Sequence, residues 1–225
     1  MDAPRWTPTT LTPEQAEEHD RVHGALTRAT RGLVEAQLLT EVDHAEVEEV
    51  TAEIDRLTQR LRARQRDGAL GVELGPGERQ VRNHGNTVMG LRNPFAVIDM
   101  ERRTVDTDRR VTHRIRLGPL HEGPPGLVHG GVSALVLDQV LGEAAAVGGA
   151  PGMTGRLTLH YRRPTPLGEV TASARLETHE GRKATVRGEL RAPDGQVTVE
   201  AEGLFILPAW ATDLPEFRAR QRAFE

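Results

Sequence analysis

Chemistry concentrates in one stretch of the chain, Gly126-Leu127-Val128-His129-Gly130-Gly131-Val132-Ser133-Ala134-Leu135-Val136-Leu137-Asp138-Gln139. From Gly130 to Val147 apolar residues fall on nearly every face, among them Val132, Leu135, Val136, Leu137, Val140, Leu141 and the Ala144-Ala145-Ala146 run. That pattern predicts a buried helix rather than an amphipathic surface one. The paired glycines at its start leave backbone N–H groups uncovered at the positive end of the helix dipole. Asp138 then sets a carboxylate inside an apolar helix, where an unpaired charge is costly. Such a group is either a core residue held by hydrogen bonds or one kept for catalysis, and the residues alone leave both readings open. Ser133 has no G-x-S-x-G surround and reads as a helix residue, not a nucleophile. Glu143, five residues past Asp138, reads as a structural or surface carboxylate.

The elements that must position this helix are legible on either side. Thr12-Pro13-Glu14-Gln15 forms a capping box with proline at the first helical position, followed by Val22, Leu26, Ala29 and Leu33 at helical steps. Asp43 with Glu46 starts a second helix, whose Val47, Val50, Ile54, Leu57 and Leu61 form a narrow seam suited to pairing with another helix. The basic tract 60–66 reads as its solvated end. Gly68, Gly71, Gly75, Pro76, Gly77, Gly85 and Gly90 punctuate a linker or lid. Strand-like alternation begins at Phe95, Val97 and Asp99 against Ala96, Ile98 and Met100, and is clean over 111–117. After the helix come four strand candidates, about 153–162, 168–179, 183–193 and 196–207, with Gly181 and Asp194-Gly195 as turns. The reading is an α+β chain: residues 1–67 as a helical hairpin extension, 68–93 as linker or lid, 94–208 as an antiparallel sheet wrapped around one long buried helix, and 209–225 as a tail.

Composition removes several classes of function. The 225 residues carry a net charge of −4 with both signs mixed, which gives no support to nucleic-acid binding. There is no cysteine, so disulfides, thiolate catalysis and zinc–thiolate sites are excluded. The nine histidines show no ligand spacing, and no metal is expected. No apolar run long enough for a membrane span and no signal-peptide pattern is seen, so a cytoplasmic protein is expected.

The stretch 94–208, about half the chain, resembles the hotdog-fold acyl-CoA thioesterases of the PaaI and THEM type, relatives of 4-hydroxybenzoyl-CoA thioesterase. The resemblance rests on His129-Gly130-Gly131 with Asp138 nine residues after the histidine. It continues through Thr154-Gly155-Arg156-Leu157-Thr158-Leu159-His160-Tyr161-Arg162-Arg163-Pro164-Thr165-Pro166-Leu167, then Gly181-Arg182-Lys183 and Ala201-Glu202-Gly203-Leu204-Phe205. It implies a bacterial acyl-CoA hydrolase with no cofactor, coenzyme A being part of the substrate. By position, Asp138 would be the general base or nucleophile, and the Gly130 N–H would polarise the thioester carbonyl. Thr154 would position water or substrate, and His129 would shape the helix start. Gly131 would meet the substrate, and Arg156, Arg162, Arg163 and Lys183 would either face its phosphates or form an ordinary solvated strand surface, the latter favoured for each cation taken alone. Family members carry an asparagine near Glu122 that this chain lacks.

Gly130 and Asp138 lie eight residues apart on one helix, about 12 Å along its axis, so both cannot reach one carbonyl from the same chain. Two antiparallel helices across a twofold axis would bring Gly130 of one subunit to Asp138 of the other, so a catalytic reading predicts a homodimer with two sites at its interface; the resemblance further implies that such dimers pair into a dimer of dimers. Thr154 shares strand parity with Arg156 and Thr158, opposite to Leu157, Leu159 and Tyr161, so a site at the strand's start, or a bulge, is needed to aim it inward. Two other readings remain: a non-catalytic acyl-CoA binder or scaffold, and a hydratase of the same fold, against which stands Glu143 where hydratases carry a histidine.

Overall fold

The computed structural model describes residues 6–75 and 81–209. They form two compact units, one comprising Asn86–Met89 and Phe95 onward, the other the residues up to Gly85 with Gly90–Pro94. The expected tail lies outside the described residues from position 210.

The unit nearer the N-terminus contains β1 (Trp6–Pro8), α1 (Pro13–Leu39), α2 (His44–Arg62), β2 (Val72–Leu74) and β3 (Val81–Arg82). The reciprocal capping box at Thr12 and Gln15 starts α1, and Asp43 caps α2 by accepting from the Glu46 N–H at 3.0 Å. The short strands pair in the order β1-β2-β3; β2 and β3 lie in the stretch expected as linker or lid, and β1 precedes α1 in the stretch expected as helical. α1 buries Ala16, Gly24 and Thr27, whereas α2 buries no residue at all.

The other unit is a six-stranded antiparallel sheet of β4 (Arg103–Val105), β5 (Val111–Leu117), β6 (Met153–Tyr161), β7 (Gly168–Glu180), β8 (Lys183–Arg191) and β9 (Val197–Ile206). The strand order is β4-β5-β7-β8-β9-β6. One helix, α3 (Gly130–Val147), lies across its inner face, the hotdog arrangement. Alternation along the strands turns Ile115, Leu117, Val170, Ala172, Val186, Leu190, Val199 and Phe205 toward Val136, Leu137, Val140 and Leu141 of the helix. A Cβ on Gly188 or on Gly203 would come within 2.8 or 2.9 Å of the Leu141 methyl groups, so glycine at both places lets the helix seat against the sheet. The outer face is charged: Arg187 sits between Glu177 at 3.3 Å and Glu202 at 3.1 Å, and Arg102 meets Glu169 at 2.6 Å. α3 has the length and hydropathy of a membrane span, but its most apolar face is spent on the sheet.

Residues 95–99, expected as a strand, are irregular. The N–H groups of Val97 and Ile98 both donate to one carbonyl, that of Val88, at 2.9 Å, so no ladder forms, and the alternation reflects burial of Ala96 and Ile98. Residues 86–89, expected as linker, are thereby tied into the sheet unit.

Candidate active site

His129 is the N-cap of α3, and its Nδ1 accepts from the Gly131 N–H at 3.0 Å. A ring nitrogen thus does the capping usually done by a side-chain oxygen. The Gly131 amide is spent on this bond, and among the described residues the Gly130 N–H has no acceptor. An uncovered amide at a helix start is a donor for an anionic or polarised oxygen. Tyr161 Oη donates to the Gly130 carbonyl at 2.8 Å, fixing the same peptide from the β6 side. The tyrosine was not singled out from the sequence; its signal was its place on the inward parity of β6, and it is the only tyrosine in the chain.

Asp138 lies half-buried two turns further along α3. Its Oδ1 accepts from Thr154 Oγ1 at 2.8 Å, while Oδ2 has no partner among the described residues. A bulge that aims Thr154 inward is present. Thr154 opposes Phe205 and Arg156 opposes Leu204, so Gly155 is an extra residue that reverses the alternation. Thr154 therefore shares the inward face with Leu157, Leu159 and Tyr161, and Arg156 is on the outer one. The aspartate is thus oriented by one hydroxyl and offers a second oxygen to a reactant, as a base or nucleophile requires.

The remaining positions divide. Arg162 is committed to Glu200 on the exposed strand surface, at 2.8 and 3.0 Å. Arg163 is exposed just beyond β6, at the Tyr161 end. Lys183 opens β8 opposite Ile206, which opposes Met153, so it lies at the Thr154 end of the sheet. Ser133 is fully buried and beyond the reach of a substrate. Within one chain the structure gathers Asp138 with Thr154, and His129 with Gly130, Gly131 and Tyr161. It leaves the two groups about 12 Å apart along α3.

Glu143 points about 140° around the helix from Asp138 and serves a different end. It receives Nε2 of the wholly buried His113 at 2.7 Å and also pairs with Arg103. Burial pushes its carboxyl up, but the hydrogen bond and charge of His113, with the Arg103 guanidinium, outweigh this and hold it below the usual carboxylate range. It cannot share a substrate with Asp138.

One group of metal-capable donors comes together among the described residues. Ligand atoms of the neighbours His19 and Asp20 and of the distant His84 lie within 4.8 Å of one another. Arg82 already claims two of them, donating from Nη2 to Asp20 at 2.5 Å and from Nε to His84 Nε2 at 3.0 Å. Burial pushes the His84 pKa down, opposed by Asp20 and helped by Arg82, which suits a neutral ring accepting from the guanidinium. A cation there would meet Arg82's charge, so the cluster is a link between α1 and β3.

The family model described as Thioesterase superfamily matches residues 125–199, which span the helix start, Asp138, Thr154 and the strands behind them. A solved thioesterase superfamily protein is 35% identical and covers 91% of this chain and 100% of its own, with a TM-score of 0.71. The chain belongs to the thioesterase superfamily. Among curated members, Acyl-coenzyme A thioesterase THEM4 of Xenopus laevis is 38% identical over 101 residues, which are 44% of this chain and 46% of that protein. THEM4 of Bos taurus is also 38% identical over 101 residues, 44% of this chain and 41% of its own. This thioesterase superfamily chain thus spans less than half the length of the curated relatives it matches.

Proposed function

We propose that the protein hydrolyses an acyl-coenzyme A thioester to the free carboxylic acid and coenzyme A, at two sites shared across a homodimer. The observation that carries the reading is the Asp138 carboxylate, oriented by Thr154 at 2.8 Å with its second oxygen unengaged, on the helix whose first N–H is also unengaged. In a dimer with the α3 helices antiparallel, Gly130 of one chain meets Asp138 of the other. The face needed for this carries half-exposed Leu135 and Tyr161, and β6 is an edge strand. The named activity of the THEM4 relatives supports the substrate class.

In the favoured sequence Asp138 takes a proton from a water that attacks the thioester carbonyl carbon. The carbonyl oxygen becomes an oxyanion held by the partner's Gly130 N–H. Collapse breaks the carbon–sulfur bond, and the departing thiolate takes the proton back from Asp138. The alternative route has Asp138 attack directly to form an anhydride that water then opens. Arg163 and Lys183 are exposed and suited to the coenzyme phosphates; Arg162 would have to leave Glu200 to join them, and Arg156 would have to act from the outer face.

The test is release of free thiol from a panel of acyl-CoAs. Asp138→Asn keeps the Thr154 contact and removes the base, so kcat is expected to fall by about a thousandfold with an unchanged melting temperature. An Asp138→Asn variant that turns over at the wild-type rate would refute the assignment. Conversion of an enoyl-CoA without thiol release would point to a hydratase instead.

A further inference from the structure

Helix α2 is a formed helix of 19 residues with no buried residue among the described ones. Along its seam Val47, Leu57 and Leu61 are 43%, 51% and 60% exposed, and the central Val50 and Ile54 are half-buried. Most helical stability in proteins comes from packing an apolar face rather than from intrinsic propensity. The steps of 3, 4, 3 and 4 along the seam are those of a two-helix contact.

The charges choose the occupant. Asp43, Glu46, Glu48, Glu49, Glu53 and Asp55 are the only ionised residues from 43 to 55, and Arg56, Arg60, Arg62, Arg64 and Arg66 the only ones from 56 to 66. The helix dipole rewards acids in the first turn and bases in the last, but it does not account for a boundary in the middle at Asp55 and Arg56. Two copies laid parallel would set acid against acid and base against base along the whole contact. Two copies laid antiparallel set the acidic half of each against the basic half of the other, and the β-branched end of the seam against the leucine end. We propose that α2 is a self-association helix that pairs antiparallel with α2 of a second copy of this chain.

The chain has no cysteine, so single cysteines report on this contact without background. In the full-length protein, Ile54→Cys near the centre should be joined efficiently into a covalent dimer by a short bis-maleimide. Val47→Cys alone and Leu61→Cys alone should give at least tenfold less, while an equal mixture of the two should link to about half the level of the central variant, since half of its pairs are mixed. Gln59→Cys, on the outer face of the helix, should not link. The pairing is overturned if Ile54→Cys fails to link, if Val47→Cys links to itself as well as Ile54→Cys does, or if Gln59→Cys links equally. A second measurement uses the double variant Ile54→Glu with Leu57→Glu. Placed in the Val47→Cys and Leu61→Cys chains, it should cut their mixed linking at least tenfold, and unchanged linking would mean that the seam does not form the contact. Because no α2 side chain is buried, none of these substitutions removes core packing.

Discussion

A carboxylate on an apolar helix is informative because of what it accepts. Asp138 accepts one hydrogen bond, from Thr154 at 2.8 Å, where a purely structural aspartate would engage both oxygens. Thr154→Val keeps the shape of the side chain and deletes the donor, leaving the carboxylate free to turn. A hydrogen bond to a charged group supports about a ten- to hundredfold loss in kcat, with Thr154→Ser restoring most of it. Thiol-release kinetics on the two variants check this, and a Thr154→Val enzyme at full rate would show that Asp138 is oriented by something else. At the other end, His129 caps α3 and spends the Gly131 amide, so the donor left over is that of Gly130. The His-Gly-Gly order is therefore specific: the histidine ring folds back over the second glycine, and the first keeps its N–H.

At the scale of elements, α3 is held at both flanks of the sheet. Thr154 of β6 bonds it on one side, and on the other Glu143 bonds His113 of β5 and pairs with Arg103 of β4. The Glu143 carboxyl sits below its usual range, so its contribution to stability is present above the unfolded-state value and is lost as the pH falls through the folded-state value. Glu143→Gln is expected to cost about 3 kcal/mol near neutral pH, measured by denaturant unfolding, because it breaks a largely buried pair. The difference from wild type should shrink as the solution is acidified below the ordinary carboxylate range; a difference that grows would contradict the pairing. The starts of α1 and α2, both ends of α3 and the last four strands were legible, since helix caps, glycine turns and periodicity are local signals. The turn glycines Gly181 and Gly195 indeed have positive φ of 58° and 80°. The His113–Glu143–Arg103 contact was not legible, because it joins residues 30 and 40 positions apart. Thr154 was half legible. Its parity called for a site at the strand's start or a bulge, but only pairing with β9 shows that Gly155 supplies the bulge. The alternation over 95–100 misled because burial beside α3 imitates a strand when the N–H groups go elsewhere.

For the whole molecule, one chain carries the two halves of a site at opposite ends of α3, and each half has its own companion on β6, Tyr161 for Gly130 and Thr154 for Asp138. The account therefore stands on sites completed by a second subunit. Mixing two inactive variants tests this directly. Gly130→Pro deletes the amide hydrogen, and proline is well tolerated at the first position of a helix, with His129 before it already extended at ψ 133°. Asp138→Ala deletes the carboxylate. Each variant alone should lose at least about a hundredfold in kcat. When the two are unfolded and refolded together, half the dimers are mixed, and each mixed dimer holds one intact site and one doubly altered site. Thiol release should recover to about a quarter of the wild-type rate. Recovery to no more than the sum of the two variants alone would contradict a site shared between subunits.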